Sequence, residues 1–97
     1  MNQSVIEEAI RTKAIIEFYY SSHHRVVEPH VLGIHTGIIQ LLGYQIDGSS
    51  SSGKLPEWRR FDLNRMSNIQ ITDKKFSGQR PSGHHSSWDR TILVVDD

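Results

Sequence analysis

Cysteine is absent from this 97-residue chain. That excludes disulfide staples, thiolate metal sites and cysteine nucleophiles. Net charge is absent too, because eleven Lys and Arg balance eleven Asp and Glu, which argues against a general nucleic-acid coat protein. No apolar run approaches the roughly 20 residues that span a bilayer. The opening Met1-Asn2-Gln3-Ser4 lacks a basic-then-apolar leader, so a soluble cytoplasmic protein with no membrane partner is the expectation. Gly-x-Ser-x-Gly, the phosphate-binding P-loop and the dinucleotide glycine fingerprint are all missing. Nothing orders Ser, His and Asp into a nucleophile, a base and an orienter. A binding protein without enzymatic activity or cofactor is therefore expected. With 36% apolar residues the chain can build one small core, and dimerisation is a plausible supplement to its stability.

What is present is a series of short β-forming runs behind one helix. Ser4-Val5-Ile6-Glu7 has the capping-box pattern, and Ile6 and Ile10 share a helical face with Ala9 beside them. This predicts a helix over about residues 4–12, too short to be stable unless its isoleucine face docks. Ala14 to Tyr20 alternates Ile16, Phe18 and Tyr20 against Ile15, Glu17 and Tyr19, the period of a strand. After a turn at Ser21-Ser22-His23-His24, a second strand is expected over Arg25 to Ile34. Pro29 must lie there at an edge or a bulge, because it cannot donate to a ladder. Ile38 to Ile46 reads as the third strand, Trp58 to Met66 as the fourth and Asn68 to Thr72 as a short fifth. The polar run from Asp47 to Lys54 connects the third and fourth. Residues 77–97 form a C-terminal extension beyond a domain of residues 1–76. Within it Thr91-Ile92-Leu93-Val94-Val95 is too apolar to hang in water. It is expected to close the same barrel, or to pair with a second copy as a homodimer across an open edge.

The arginines carry the best chemical signal. Residues 54–80 hold Lys54, Arg59, Arg60, Arg65, Lys74, Lys75 and Arg80 against Glu57, Asp62 and Asp73, a local surplus of four positive charges. Strand alternation sets Arg59 and Arg65 on one face with Phe61 and Leu63. An inward-leaning arginine is costly without an anionic partner, and a guanidinium suits phosphate. The alternative is that Arg59 and Arg65 make ordinary ion pairs with Glu17, Glu28 or Glu57. Tyr19, Tyr20, Tyr44 and Trp58 offer stacking faces for bases. Phe18, Tyr20 and Phe61 are more simply core, which leaves Tyr44 and Trp58 as the more exposed pair. The histidines His23, His24, His30, His35, His84 and His85 lack convergent spacing, and neighbours on a strand point opposite ways. No metal site is expected.

The landmarks Ile16-x-Phe18-x-Tyr20, Arg25-x-Val27-Glu28-Pro29, Leu41-Leu42-Gly43-Tyr44 and Arg59-x-Phe61-x-Leu63-Asn64-Arg65-Met66 follow in this order after a short helix. Over about residues 5–76 the chain resembles a WYL domain, a ligand-sensing module of bacterial regulators. The resemblance implies a mainly β fold, an Sm-like small β-barrel of five to six strands with a short N-terminal helix. Family members are usually fused to a DNA-binding winged helix; the resemblance here is to the stand-alone sensing part, so direct promoter binding is not implied. It implies a nucleotide or single-stranded nucleic acid as ligand and a role in transcription control. By position the ligand-binding candidates are Tyr20, Arg25, Arg59 and Arg65, with Gln40, Tyr44, Trp58 and Arg60 as secondary ones. The chain departs from the family pattern in places. The name-giving Trp-Tyr-Leu falls on Ile39-Gln40-Leu41, the often basic position after Phe61 is Asp62, and the usual acidic residue before Arg65 is Asn64. The competing reading is a protein-interaction or oligomerisation module with no small ligand.

Overall fold

The structure, a computed structural model, describes residues 2–48, 55–80 and 88–96. Helix α1 (Asn2–Thr12) precedes six strands: β1 (Ala14–Tyr20), β2 (His23–His35), β3 (Ile38–Gly48), β4 (Glu57–Asp62), β5 (Met66–Lys75) and β6 (Arg90–Val94). The helix starts two residues before the expected cap, so Ser4 and Glu7 lie inside it. Glu7 accepts hydrogen bonds from Gln3 and Arg11 on its own face instead of closing a capping box. Ile6, Ala9 and Ile10 are fully buried and dock on the sheet, which supplies the stability that an eleven-residue helix lacks alone. The core they complete contains Ile16, Phe18, Val27, Leu32, Leu41, Phe61, Leu63, Met66 and Val95.

The fold is mainly β, and all the strand pairings are antiparallel, in the order β4-β3-β2-β1-β5 with β6 on β2. The sheet stays open. β4 and β5 end the path, and no ladder joins them among the described residues, so the expected closed Sm-like barrel does not form. The reason lies where one long strand was expected over Trp58 to Met66. β4 stops at Asp62, and a 3-10 turn over Leu63–Arg65 carries the chain from one end of the path to the other. Asn2 holds that turn, its Nδ2 donating to the carbonyls of Leu63 and Met66 at 3.0 Å each.

β2 is the organising strand. Its first half, from His23 to Val27, pairs with β1, and its second half, from Val31 to Ile34, pairs with β6 along the same edge. Pro29 falls in the gap between those two partners, and the ladder to β3 shifts register between Pro29 and Val31. The missing amide therefore costs no ladder bond. Two-residue hairpins at Ser21–Ser22 and Thr36–Gly37 have positive φ at both positions, the twist that suits antiparallel neighbours. Strand β6 pairs within its own chain, so it needs no second copy to satisfy this ladder. The connection over residues 49–54, residues 81–87 and with them His84 and His85 lie outside the described residues.

Candidate functional site: an arginine cluster around Tyr20

Cross-strand register builds the site. Glu57, Arg59 and Phe61 of β4 lie opposite Gln45, Gly43 and Leu41 of β3. Alternation turns these three side chains to the core face and Trp58, Arg60 and Asp62 to the other. Gly43 is required there: a Cβ at this position would sit 2.3 Å from Val27 Cγ1. Without it β3 could not lie this close to β2.

Arg25 is the unusual residue. It is only 4% exposed, at the end of the core face of β2. Its Nη1 donates to Gln45 Oε1 at 3.2 Å and its Nη2 to the Tyr20 carbonyl at 3.5 Å, both neutral acceptors. Its Nε is buried without a hydrogen-bond partner, and among the described residues no carboxylate makes an ion pair with it. Burial pushes its pKa down and the like charge of Arg59 pushes the same way, against smaller opposing effects of Tyr20 and Glu57. The Arg25 guanidinium also lies 5.8 Å from the Tyr20 ring centroid and 5.9 Å from that of Phe61.

Tyr20 is the hub. Its ring meets Phe61 edge-on at 5.0 Å, and Phe61 meets Phe18 in the same way. Its hydroxyl accepts the Asp62 amide at 3.0 Å, which ties β1 to the end of β4. The guanidinium of Arg65 sits over the same ring at 4.8 Å and donates to Ser21 Oγ at 3.1 Å. Arg65 thus reaches the cluster from the 3-10 turn, not by alternation along a strand with Arg59. Arg59 pairs with Glu57 at 3.0 Å, so the structural alternative holds for that arginine. Glu17 goes to His24, and Glu28 goes elsewhere.

The four principal candidates therefore converge, and the secondary ones lie apart from them. Gln40 donates from Nε2 to Asp62 Oδ1 at 2.7 Å, on the face that alternation gives Asp62. Next to it a cleft of about 290 Å3 opens between Gly37–Ile39 and Leu63–Asn64. Tyr44, Trp58 and Arg60 are on the face opposite the cluster. Tyr44 and Trp58 meet at a tilt, 4.9 Å apart, and are half-buried, not exposed as expected, Tyr44 under Arg80 and Trp58 against the His30 ring. Arg80 lies over Tyr44 at 4.2 Å and grips Glu28 with two hydrogen bonds of 2.7 and 2.9 Å. Arg60 lies over Trp88 at 4.2 Å. Trp88 rests on Gly33, where an added Cβ would be 2.7 Å from the ring. Sequence reasoning missed Arg80 and His30 as parts of this face. Their partners are 52 residues away for Arg80, and on β4 and the C-terminal segment for His30, with no local pattern to signal either.

The WYL domain family model matches residues 2–71. The chain belongs to the WYL domain family. WYL domains are associated with regulatory, ligand-sensing modules of transcription regulators. At the similarity required, no curated protein and no solved structure matches the chain.

Proposed function

We propose that this chain is a ligand-sensing regulatory module that takes an anionic ligand, a nucleotide or a short single-stranded nucleic acid, at the Tyr20, Arg25, Arg59 and Arg65 cluster. One observation carries the reading: Arg25 is buried, charged and, among the described residues, hydrogen-bonded only to neutral groups. A guanidinium in that state is unfavourable until an anion completes it. The guanidiniums of Arg25 and Arg65 flank Tyr20, Arg59 adds its charge beside Arg25, and among the described residues Glu57 is the carboxylate paired there. A phosphate entering beside Arg25 gains charge-assisted hydrogen bonds and relieves the repulsion between Arg25 and Arg59. The exposed guanidinium of Arg65, already on an aromatic face, can extend those contacts along a backbone.

Fluorescence anisotropy of labelled short single-stranded RNA and DNA, with mononucleotides as competitors, tests this. The wild-type chain binds, and the Arg59→Ala/Arg65→Ala variant loses at least tenfold in affinity while keeping its circular dichroism spectrum. Unchanged affinity in that folded variant removes the site.

A further inference from the structure

Away from the arginine cluster, the other face of the sheet carries a self-contained device. Residues 76–80 run back across it as a strap. Phe76 N donates to the Lys13 carbonyl at 3.0 Å and Gln79 N to that of Asp96 at 3.2 Å. The strap's anchor is Arg80, whose two-pronged grip on the 4%-exposed Glu28 raises its own pKa and whose plane covers Tyr44.

Under the strap lies His30, 1% exposed. Its ring is edge-on to Trp58 of β4 at 4.8 Å and tilted against Phe76 of the strap at 5.1 Å. Nδ1 is 2.8 Å from the Glu28 carbonyl, and among the described residues Nε2 has no hydrogen-bond partner. The charged groups facing the ring are Glu28 on its own strand and Arg80 on the strap. Nδ1–H donating to Glu28 is the neutral tautomer that fits. A second proton on the ring would be held in a site that is closed to water and already holds the Arg80 charge.

We propose that residues 76–80 are an acid-released latch, clamped by Arg80 on Glu28 and Tyr44 and opened when His30 takes up a proton. Burial lowers the pKa of His30, with Arg80 adding to the effect, against the opposing pull of the Glu28 carbonyl and carboxylate and of the Gly78 backbone. The sign follows. Above the ordinary imidazole value of about 6.5 the ring is neutral whether the strap is docked or lifted, and the latch has full strength. Below it the lifted state binds a proton that the docked state refuses. The docked-to-lifted ratio then falls by up to roughly tenfold per pH unit, until the depressed pKa is reached. The latch reaches β4 through His30, whose ring lies between Phe76 and Trp58, and the neighbours of Trp58, Glu57 and Arg59, make the ion pair of the other face. Its action needs no ligand.

The test uses the full chain with Trp88→Phe, which leaves Trp58 as the only tryptophan. Its emission is followed from pH 8 to pH 5, with amide exchange at Phe76 and Gln79 measured by NMR. The expected result is a red shift of Trp58 and at least tenfold loss of protection at Phe76 and Gln79, while the amides of β1 and β3 stay protected. Adding Arg80→Ala gives the red-shifted emission already at pH 8 and raises the His30 pKa in its NMR titration. Emission and protection that do not change with pH overturn the proposal, as does loss of protection in all strands at one midpoint. An unchanged His30 pKa on Arg80→Ala overturns it as well.

Discussion

Replacing Arg25 by methionine should make the ligand-free protein more stable and useless for binding. Arg25 is 4% exposed and surrounded by Tyr20, Phe61, Gln45 and the like charge of Arg59. Exchanging a buried charge for an apolar side chain of similar length is neutral or stabilising by about 1–4 kcal/mol in comparable cases. Against this stand two hydrogen bonds, long at 3.2 and 3.5 Å, which at that length belong at the low end of about 0.5–1.5 kcal/mol each. The expected net effect of Arg25→Met is a gain of about 1 kcal/mol. In a domain of this size that is about 4–8 °C in melting temperature. Urea denaturation at pH 7 without ligand, read by circular dichroism, measures it. A loss of more than about 1 kcal/mol in the ligand-free state would mean that the protein itself satisfies Arg25. The argument for an anionic ligand would then fail.

Three further perturbations test the frame that holds the cluster. Gly43→Ala places a methyl group 2.3 Å from Val27 Cγ1 and 3.3 Å from the Glu28 carbonyl. It should cost about 1–3 kcal/mol, seen as a lower urea midpoint; an unchanged midpoint would show that β3 and β2 separate easily. Tyr20→Phe removes the acceptor of the Asp62 amide, with an expected loss of about 1 kcal/mol and faster exchange of that amide by NMR. Equal exchange in both proteins would contradict the tie between β1 and β4. Asn2→Ala removes one hydrogen bond each from the Leu63 and Met66 carbonyls, leaving Leu63 its bond from the Met66 amide, and should cost about 1–2 kcal/mol. Calorimetry with no shift in melting temperature would show that the turn holds itself.

Most of the strand map was legible because it rests on local alternation. Ile16, Phe18 and Tyr20 announce β1, and Pro29 announces an interruption in β2. What sequence could not give was which neighbour each edge would find. Pro29 sits in a central strand, tolerable because β1 stops before it and β6 begins after it. Asp62 and Arg65 continue a strand pattern on paper. The chain turns at Leu63 because the side chain of Asn2, more than sixty residues earlier, satisfies the turn's carbonyls. The convergence of Tyr20, Arg25, Arg59 and Arg65 followed from family resemblance, whereas their geometry did not. Alternation would have set Arg65 beside Arg59 on one strand, but it arrives over Tyr20 from the turn. The opposite face was illegible, because Tyr44 is covered from the C-terminal extension, where no local pattern signals the contact. The side-chain contacts that hold residues 76–80 there, Arg80 on Glu28 and Tyr44 and Phe76 on His30, join residues far apart in the chain.

The most direct test of the account is the salt dependence of oligonucleotide affinity, compared between wild type and the folded Arg25→Met and Arg59→Ala/Arg65→Ala variants. A phosphate-binding arginine cluster predicts affinity that falls steeply with salt in the wild type, with a shallower slope in each variant. Binding with the same salt slope in all three proteins, or none even at low salt, would contradict it.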